Sequence, residues 1–187
     1  RICAPKGIRI LEDAAHALGA AYTYKGKTFK VGSAAHSDAV MLSFHPIKQM
    51  TTGEGGAVLT NDKGLYEKLL RLRHHGIVKG PQETCEALRP YAQESWFYDI
   101  PEIGYNFRLT DMQSALGFSQ LKRLDSFVNT RRQLVRKYNQ AFKSIQQLGL
   151  PFERQGSLGS YHLYPIRVPA GQRANLHSYL KEQGILT

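Results

Sequence analysis

The sequence predicts an α/β fold, and three stretches carry that reading. Ala39-Val40-Met41-Leu42-Ser43-Phe44 is a continuous apolar run, the pattern of a strand covered on both faces of a parallel sheet. Gly56-Ala57-Val58-Leu59-Thr60 is a second short strand. After it, leucines at positions 65, 69, 70 and 72 mark an amphipathic helix, with Asn61 or Asp62 as its N-cap. Strand followed by helix, repeated, is the signature of α/β architecture with a mostly parallel sheet.

The remaining elements follow in chain order. Ile8-Arg9-Ile10-Leu11 reads as a first strand, leading into the small-residue run Asp13–Gly19. From Gly76 to Gly104 the periodicity gives way to Pro, Gly and aromatic residues, and so long an irregular stretch is expected to line a site or an interface. Helical signal returns at Thr110 or Asp111, either of which can cap, and persists to Ile145. Its expected inward face is Met112, Ala115, Leu116, Ser119, Leu121 and Leu124. A change of helix direction near Asp125 divides the chain into residues 1–125, part of a large domain, and 126–187, a linking helix and the first part of a smaller one. That second unit opens with an expected strand, Tyr161–Val168, and a helix, Gln172–Gln183.

Composition narrows the function. The chain has 187 residues, of which 42% are hydrophobic and 21% charged, an ordinary globular balance that disfavours disorder and coiled coil. No apolar run reaches the roughly 18–20 residues of a membrane helix, so no membrane partner is expected. Cys3 and Cys85 form neither a disulfide framework nor a metal motif, which favours a reducing, cytoplasmic setting. The net charge of +10 invites a nucleic-acid reading. Yet the charges are scattered, no nucleic-acid motif accompanies them, and Arg131, Arg132, Arg136 and Lys137 read as a solvated helix face. An anionic small substrate such as a nucleotide diphosphate suits the charge equally well.

Two segments hold candidate chemistry. In Ser43-Phe44-His45-Pro46-Ile47-Lys48, a lysine follows the end of a buried strand, where functional groups of α/β sheets collect. Partly desolvated there, Lys48 would favour its neutral amine and could form a Schiff base with a carbonyl. Ser43 could donate to a phosphate from the same rim. The alternative is a surface lysine ahead of a Gly-rich turn. In Glu12-Asp13-Ala14-Ala15-His16, Asp13 could hold a protonated pyridine nitrogen, or could equally cap a helix. His16 could serve beside it or pack in the core. His16, His36, His45, His74 and His75 lack metal-ligand spacing, so no metal site is expected.

Asp13-Ala14-Ala15-His16-Ala17-Leu18-Gly19, the Ser43–Lys48 segment with Gly53-Glu54-Gly55-Gly56, and Gly104-Tyr105-Asn106-Phe107-Arg108-Leu109 together resemble the DegT/DnrJ/EryC1/StrS nucleotide-sugar aminotransferases. The likeness runs along essentially the whole chain, and is marked toward the pseudaminic-acid branch, UDP-4-keto-6-deoxy-HexNAc C4 aminotransferases. It implies the aspartate-aminotransferase fold (fold type I) and pyridoxal 5'-phosphate as cofactor. Lys48 matches the lysine that links to the cofactor and shuttles a proton, Asp13 the carboxylate on the pyridine nitrogen, and His16 its neighbour by the ring. Ser43 matches the phosphate-binding serine, and Asn106 a residue reaching the phosphate from the partner subunit of a homodimer. Relatives that dehydrate carry histidine in place of Lys48, so lysine implies transamination, from glutamate to a keto-sugar nucleotide.

The same resemblance implies that this chain is the central portion of a longer enzyme. The family's phosphate-cradling turn and ring-stacking residue have no counterpart here, Arg1 is no initiator, and Gly184–Thr187 stops where a strand would follow. The alternative expectation is a catalytically silent remnant that keeps a dimerisation surface.

Overall fold

The computed structural model describes residues 2–187. Two small sheets and four helices make up the described residues. In the first sheet β1 (Leu11–Asp13), β4 (Ala39–Ser43) and β5 (Gly56–Leu59) lie in the order β1-β4-β5. β1 and β4 are parallel, pairing Leu11 with Ala39 and Asp13 with Met41. β5 returns antiparallel, pairing Ser43 with Gly56. One parallel and one antiparallel pair thus stand where a mostly parallel sheet was expected.

The first strand begins three residues later than its apolar pattern suggests. Ile8 and Ile10 are exposed, and Ile10 meets the sheet only at its edge, donating its N–H to Asp38 Oδ2 at 2.7 Å. Pairing starts at Leu11, so the ladder and not the hydrophobicity sets the boundary.

The second sheet was not anticipated. β2 (Ala21–Tyr24) and β3 (Lys27–Lys30) form a hairpin, and β6 (Ser157–Leu158) joins β2 from the far end of the chain. Lys25 and Gly26 both take positive φ, 49° and 76°, as a tight two-residue turn matched to strand twist requires. Alternation of Tyr22, Tyr24 and Phe29 with polar residues around that Lys-Gly pair was the available signal.

α1 (Lys63–Leu72) is capped by Asp62, whose side chain accepts from Leu65 N–H at 3.0 Å. α2 (Asp111–Leu121) starts from Thr110 in a reciprocal capping box with Gln113. α3 (Leu124–Phe142) follows after two residues, so the helix breaks at Lys122–Arg123, just short of the expected turn near Asp125. α4 (Arg173–Glu182) matches its expectation closely.

Two expectations need correction. α2 does not turn Met112, Leu116 and Leu121 inward, for all three are exposed; its buried residue is Gly117, which lays the helix against Thr52 and Met50. The strand expected over Tyr161–Val168 does not form. Tyr161 takes a positive φ of 47°, and the only pairing of the segment among the described residues is the single bridge from Arg167 to Gly149.

The core lies in two adjoining clusters. Ala14, Ala34, Val40 and Leu42 form one, and Met50, Leu124 and Val128 the other, with Leu18 and Phe44 packed against both. Each such aliphatic side chain taken from water contributes about 2 kcal/mol. The second cluster joins α3 directly to the turn beyond β4. No helix among the described residues is long and apolar enough to cross a membrane.

Candidate active site

Asp13 and Ser43 are the last residues of the neighbouring parallel strands β1 and β4. Because side chains alternate along a strand and Asp13 is in register with Met41, Asp13, Met41 and Ser43 project to one face while Val40 and Leu42 enter the core on the other. Asp13 caps no helix. One carboxylate oxygen accepts from Ala15 N–H at 3.1 Å in a local turn, and the side chain stays exposed.

Beyond Ser43 the chain folds back on itself. Thr52 N–H and the Thr51 hydroxyl both donate to the Phe44 carbonyl, at 3.0 and 3.1 Å, and Phe44 N–H donates to Gly55 at 2.8 Å. Within that closure Lys48 N–H donates to the His45 carbonyl at 3.0 Å. Gln49, Met50 and Thr52 are buried, so Lys48, half-buried, stands on an anchored turn and not on a loose loop.

The Asp13 and Lys48 segments are joined next door to both residues. Gln49 Nε2 donates to the His16 carbonyl at 2.6 Å and to Ser160 Oγ at 3.0 Å. His16 does not pack in the core; it is exposed, and its ring lies 4.3 Å from that of His162, centroid to centroid. Asp13, His16, Ser43 and Lys48 are therefore gathered around one end of the sheet by short connections.

A third segment, residues 159–162, completes this junction and was missed as a site element because it read as the start of a strand. Its fastening also corrects the solvated-face reading of α3. Arg132 Nε donates to the Gly159 carbonyl at 2.8 Å and its NH2 to that of Gly19 at 3.1 Å. Arg131 NH1 donates to the carbonyls of Tyr161 and His162 at 3.2 and 3.3 Å. Both arginines are half-buried, whereas Arg136 and Lys137 are exposed. Burial pushes the His162 imidazole below its ordinary pKa, helped by positive charge at His16, Lys48 and Arg131.

Asn106 stands apart. It pairs with His74 in an isolated bridge, and its Oδ1 accepts from Arg108 NH2 at 3.0 Å. Arg108 also reaches His74 Nδ1, and His75 Nε2 at 3.4 Å. Burial first, then the Arg108 charge, holds the His74 pKa below its usual value. The crossing that presents Asn106 needs glycine. A Cβ on Gly104 would lie 2.2 Å from Gly76 N, with no side chain able to yield. Among the described residues no hydrogen bond ties Asn106 to Asp13, His16, Ser43 or Lys48.

Comparison with known proteins identifies the family. The family model for DegT/DnrJ/EryC1/StrS aminotransferases matches residues 1–187. UDP-4-amino-4,6-dideoxy-N-acetyl-beta-L-altrosamine transaminase of Campylobacter jejuni subsp. jejuni is 42% identical over 159 residues, 85% of this chain and 37% of its own. Helicobacter pylori PseC, an aminotransferase of pseudaminic acid biosynthesis, superposes with a TM-score of 0.82 at 34% identity over 99% of this chain and 46% of its own. Spr1654 of Streptococcus pneumoniae in its PLP form gives 0.78 at 29% identity, over 96% of this chain and 43% of its own. The chain thus spans less than half the length of these relatives. With the whole of its length matched by the family model and its fold shared with aminotransferases of fold type I, the chain belongs to the DegT/DnrJ/EryC1/StrS aminotransferase family.

Proposed function

We propose that this chain is the central part of a pyridoxal 5'-phosphate-dependent nucleotide-sugar aminotransferase that moves an amino group from glutamate to a keto-sugar nucleotide. The observation that carries it is the gathering of Asp13, Ser43 and Lys48 at one sheet end, with Gln49 linking their segments. Pyridoxal phosphate supplies an aldehyde to take up nitrogen and an aromatic ring to accept the electrons released when a proton leaves carbon.

The residues present fit that group. Asp13 has a carboxylate oxygen beyond the one engaged by Ala15, exposed on the sheet face it shares with Ser43, suited to a pyridine N–H. Ser43 Oγ, which accepts weakly from His45 N–H at 3.4 Å, keeps its own proton to donate to a phosphate oxygen. Lys48 would hold the aldehyde carbon covalently and then carry a proton between the substrate carbon and the cofactor carbon. His16 would sit beside the ring.

A homodimer with Asn106 contributed across the interface is part of this reading. The exposed Phe107, Met112, Leu116, Phe118 and Leu121 support it, since a second copy would cover apolar surface that α2 leaves outside. The setting in this reading is surface-glycan or sialic-acid-like sugar biosynthesis in the cytoplasm; the Helicobacter protein's part in pseudaminic acid biosynthesis supports the choice of sugar pathway. To test the proposal, the protein at its full natural length is given glutamate labelled with nitrogen-15 and a UDP-4-keto-6-deoxy-HexNAc. Appearance of the label in an amino sugar supports it; absence of transfer to any keto-sugar nucleotide contradicts it.

A further inference from the structure

His162 belongs to no part of the assigned machinery, yet it touches one of its members, His16, from the far end of the chain. Its ring packs against that of His16 with centroids 4.3 Å apart and planes inclined by 57°. The ring also lies near the Lys48 turn, within reach of the lysine's charge. His162 Nδ1 is buried and lacks a partner, and the other buried side-chain atom in that condition among the described residues is Gln49 Oε1, one residue after Lys48. Both orphaned atoms therefore fall at the same junction.

We propose that His162 is a positioning residue of this site, backing the His16 ring on the side toward the Lys48 turn. The segment carrying it is held rigidly enough for that role. Arg131 grips the His162 carbonyl itself, Arg132 grips Gly159, and buried Ser160 bonds to Gln49. His16 and Lys48 lie on separate connections after separate strands; the Gln49 bond ties their backbones, and the His162 ring supports the His16 side chain. The depressed pKa keeps the ring uncharged near neutrality, which avoids a second positive charge beside Lys48.

The inference rests on the cofactor reading above, and its test separates the two. Cofactor-free protein of full natural length is titrated with pyridoxal 5'-phosphate, and the pH midpoint of the bound cofactor's visible band is then measured. H162A is expected to bind about tenfold more weakly, as supporting residues behind a reactive group do. Its pH midpoint should rise, because water replacing the ring favours the charged form of the lysine-linked nitrogen. H162F, which keeps an aromatic ring against His16, should bind within about threefold of the parent. Parent-like affinity and midpoint in H162A overturn the proposal while leaving the cofactor reading intact. Failure of the parent protein to bind the cofactor overturns both. If H162A does not fold, H162F and H162Q decide: a near-normal H162F beside a weak H162Q supports the role, and equal behaviour of the two overturns it.

Discussion

Gln49 Nε2 donates to the backbone carbonyl of His16 at 2.6 Å, which ties the residue beside Lys48 to the end of the Asp13–His16 segment. The bond bridges the turns that follow two parallel strands. Gln49 is 2% exposed, so its amide is committed to this contact and not shared with water. A side chain whose neighbour is the proposed reactive lysine thus sets the distance at which the proposed carboxylate stands.

Replacing Gln49 by leucine should therefore be costly. The substitution removes a bond from the His16 carbonyl and one from buried Ser160, leaving them only the longer Ser160 hydroxyl bond to that carbonyl at 3.4 Å, at about 1–2 kcal/mol for the bonds lost. Urea unfolding of Q49L should show a lower midpoint with an unchanged slope. A midpoint equal to the parent's would mean that the bond contributes nothing.

Arg132 spans Gly19 and Gly159, and the two acceptors lie on opposite sides of the junction. R132A should lose about 2 kcal/mol of stability, a charge-assisted pair of bonds to backbone being among the stronger kinds. R132K should recover less than half of that, since a single ammonium lacks the planar fork that meets both carbonyls. Full recovery by lysine would show that charge alone matters.

Val128, 2% exposed, fills the space over Gly19 and packs with Met50 and Leu124 beneath the Lys48 turn. V128A should cost about 2 kcal/mol, from lost burial and the void left behind. The loss is measurable by thermal or urea unfolding, and a change below about 0.5 kcal/mol would indicate that α3 collapses into the gap.

These contacts also explain what could be read ahead of the structure. β4, α1 with its Asp62 cap and α2 with its Thr110 box follow from local periodicity and capping chemistry, which sequence neighbours supply. Asp13, Ser43 and Lys48 stand out as candidates because each lies at or just beyond a strand end. Gln49, Arg132 and His162 do not, because the junction partners of Gln49 and Arg132 lie 27 to 113 positions away and the ring that His162 meets, His16, lies farther still. The Tyr161–Val168 stretch has strand-like side chains but no neighbouring ladder beyond Gly149, so propensity had nothing to pair with. Met112 and Leu121 have a helical apolar pattern that faces outward, since periodicity identifies a face without naming what covers it.

Acid sensitivity should trace in part to Asp38. The Ile10 N–H and then the Arg9 guanidinium hold its carboxyl below the ordinary value of 3.8. A group depressed in this way stabilises the fold fully above its unfolded value, and that contribution is lost as pH falls through the lower folded one. Unfolding free energy should decline below about pH 4, and D38N should be less stable at neutral pH with a shallower acid limb. An acid limb identical in D38N and parent would assign the effect to other carboxylates.

Gly104 offers a test of the Asn106 presentation. G104A forces a methyl group into the Gly76 backbone, at a cost of about 3 kcal/mol or more if the crossing does not open. The proposed trans role of Asn106 further predicts weaker cofactor retention in G104A, read by dialysis of the bound cofactor. Retention equal to the parent's would detach Asn106 from the phosphate.

The covalent site is the most direct measurement. The protein at full natural length is loaded with pyridoxal 5'-phosphate, reduced with borohydride, digested and sequenced by mass spectrometry. The cofactor's mass should appear on Lys48, and the visible band should weaken in D13N at equal cofactor concentration. Attachment to a different lysine, or no attachment at all, would contradict the assignment of Lys48 and Asp13 to one cofactor.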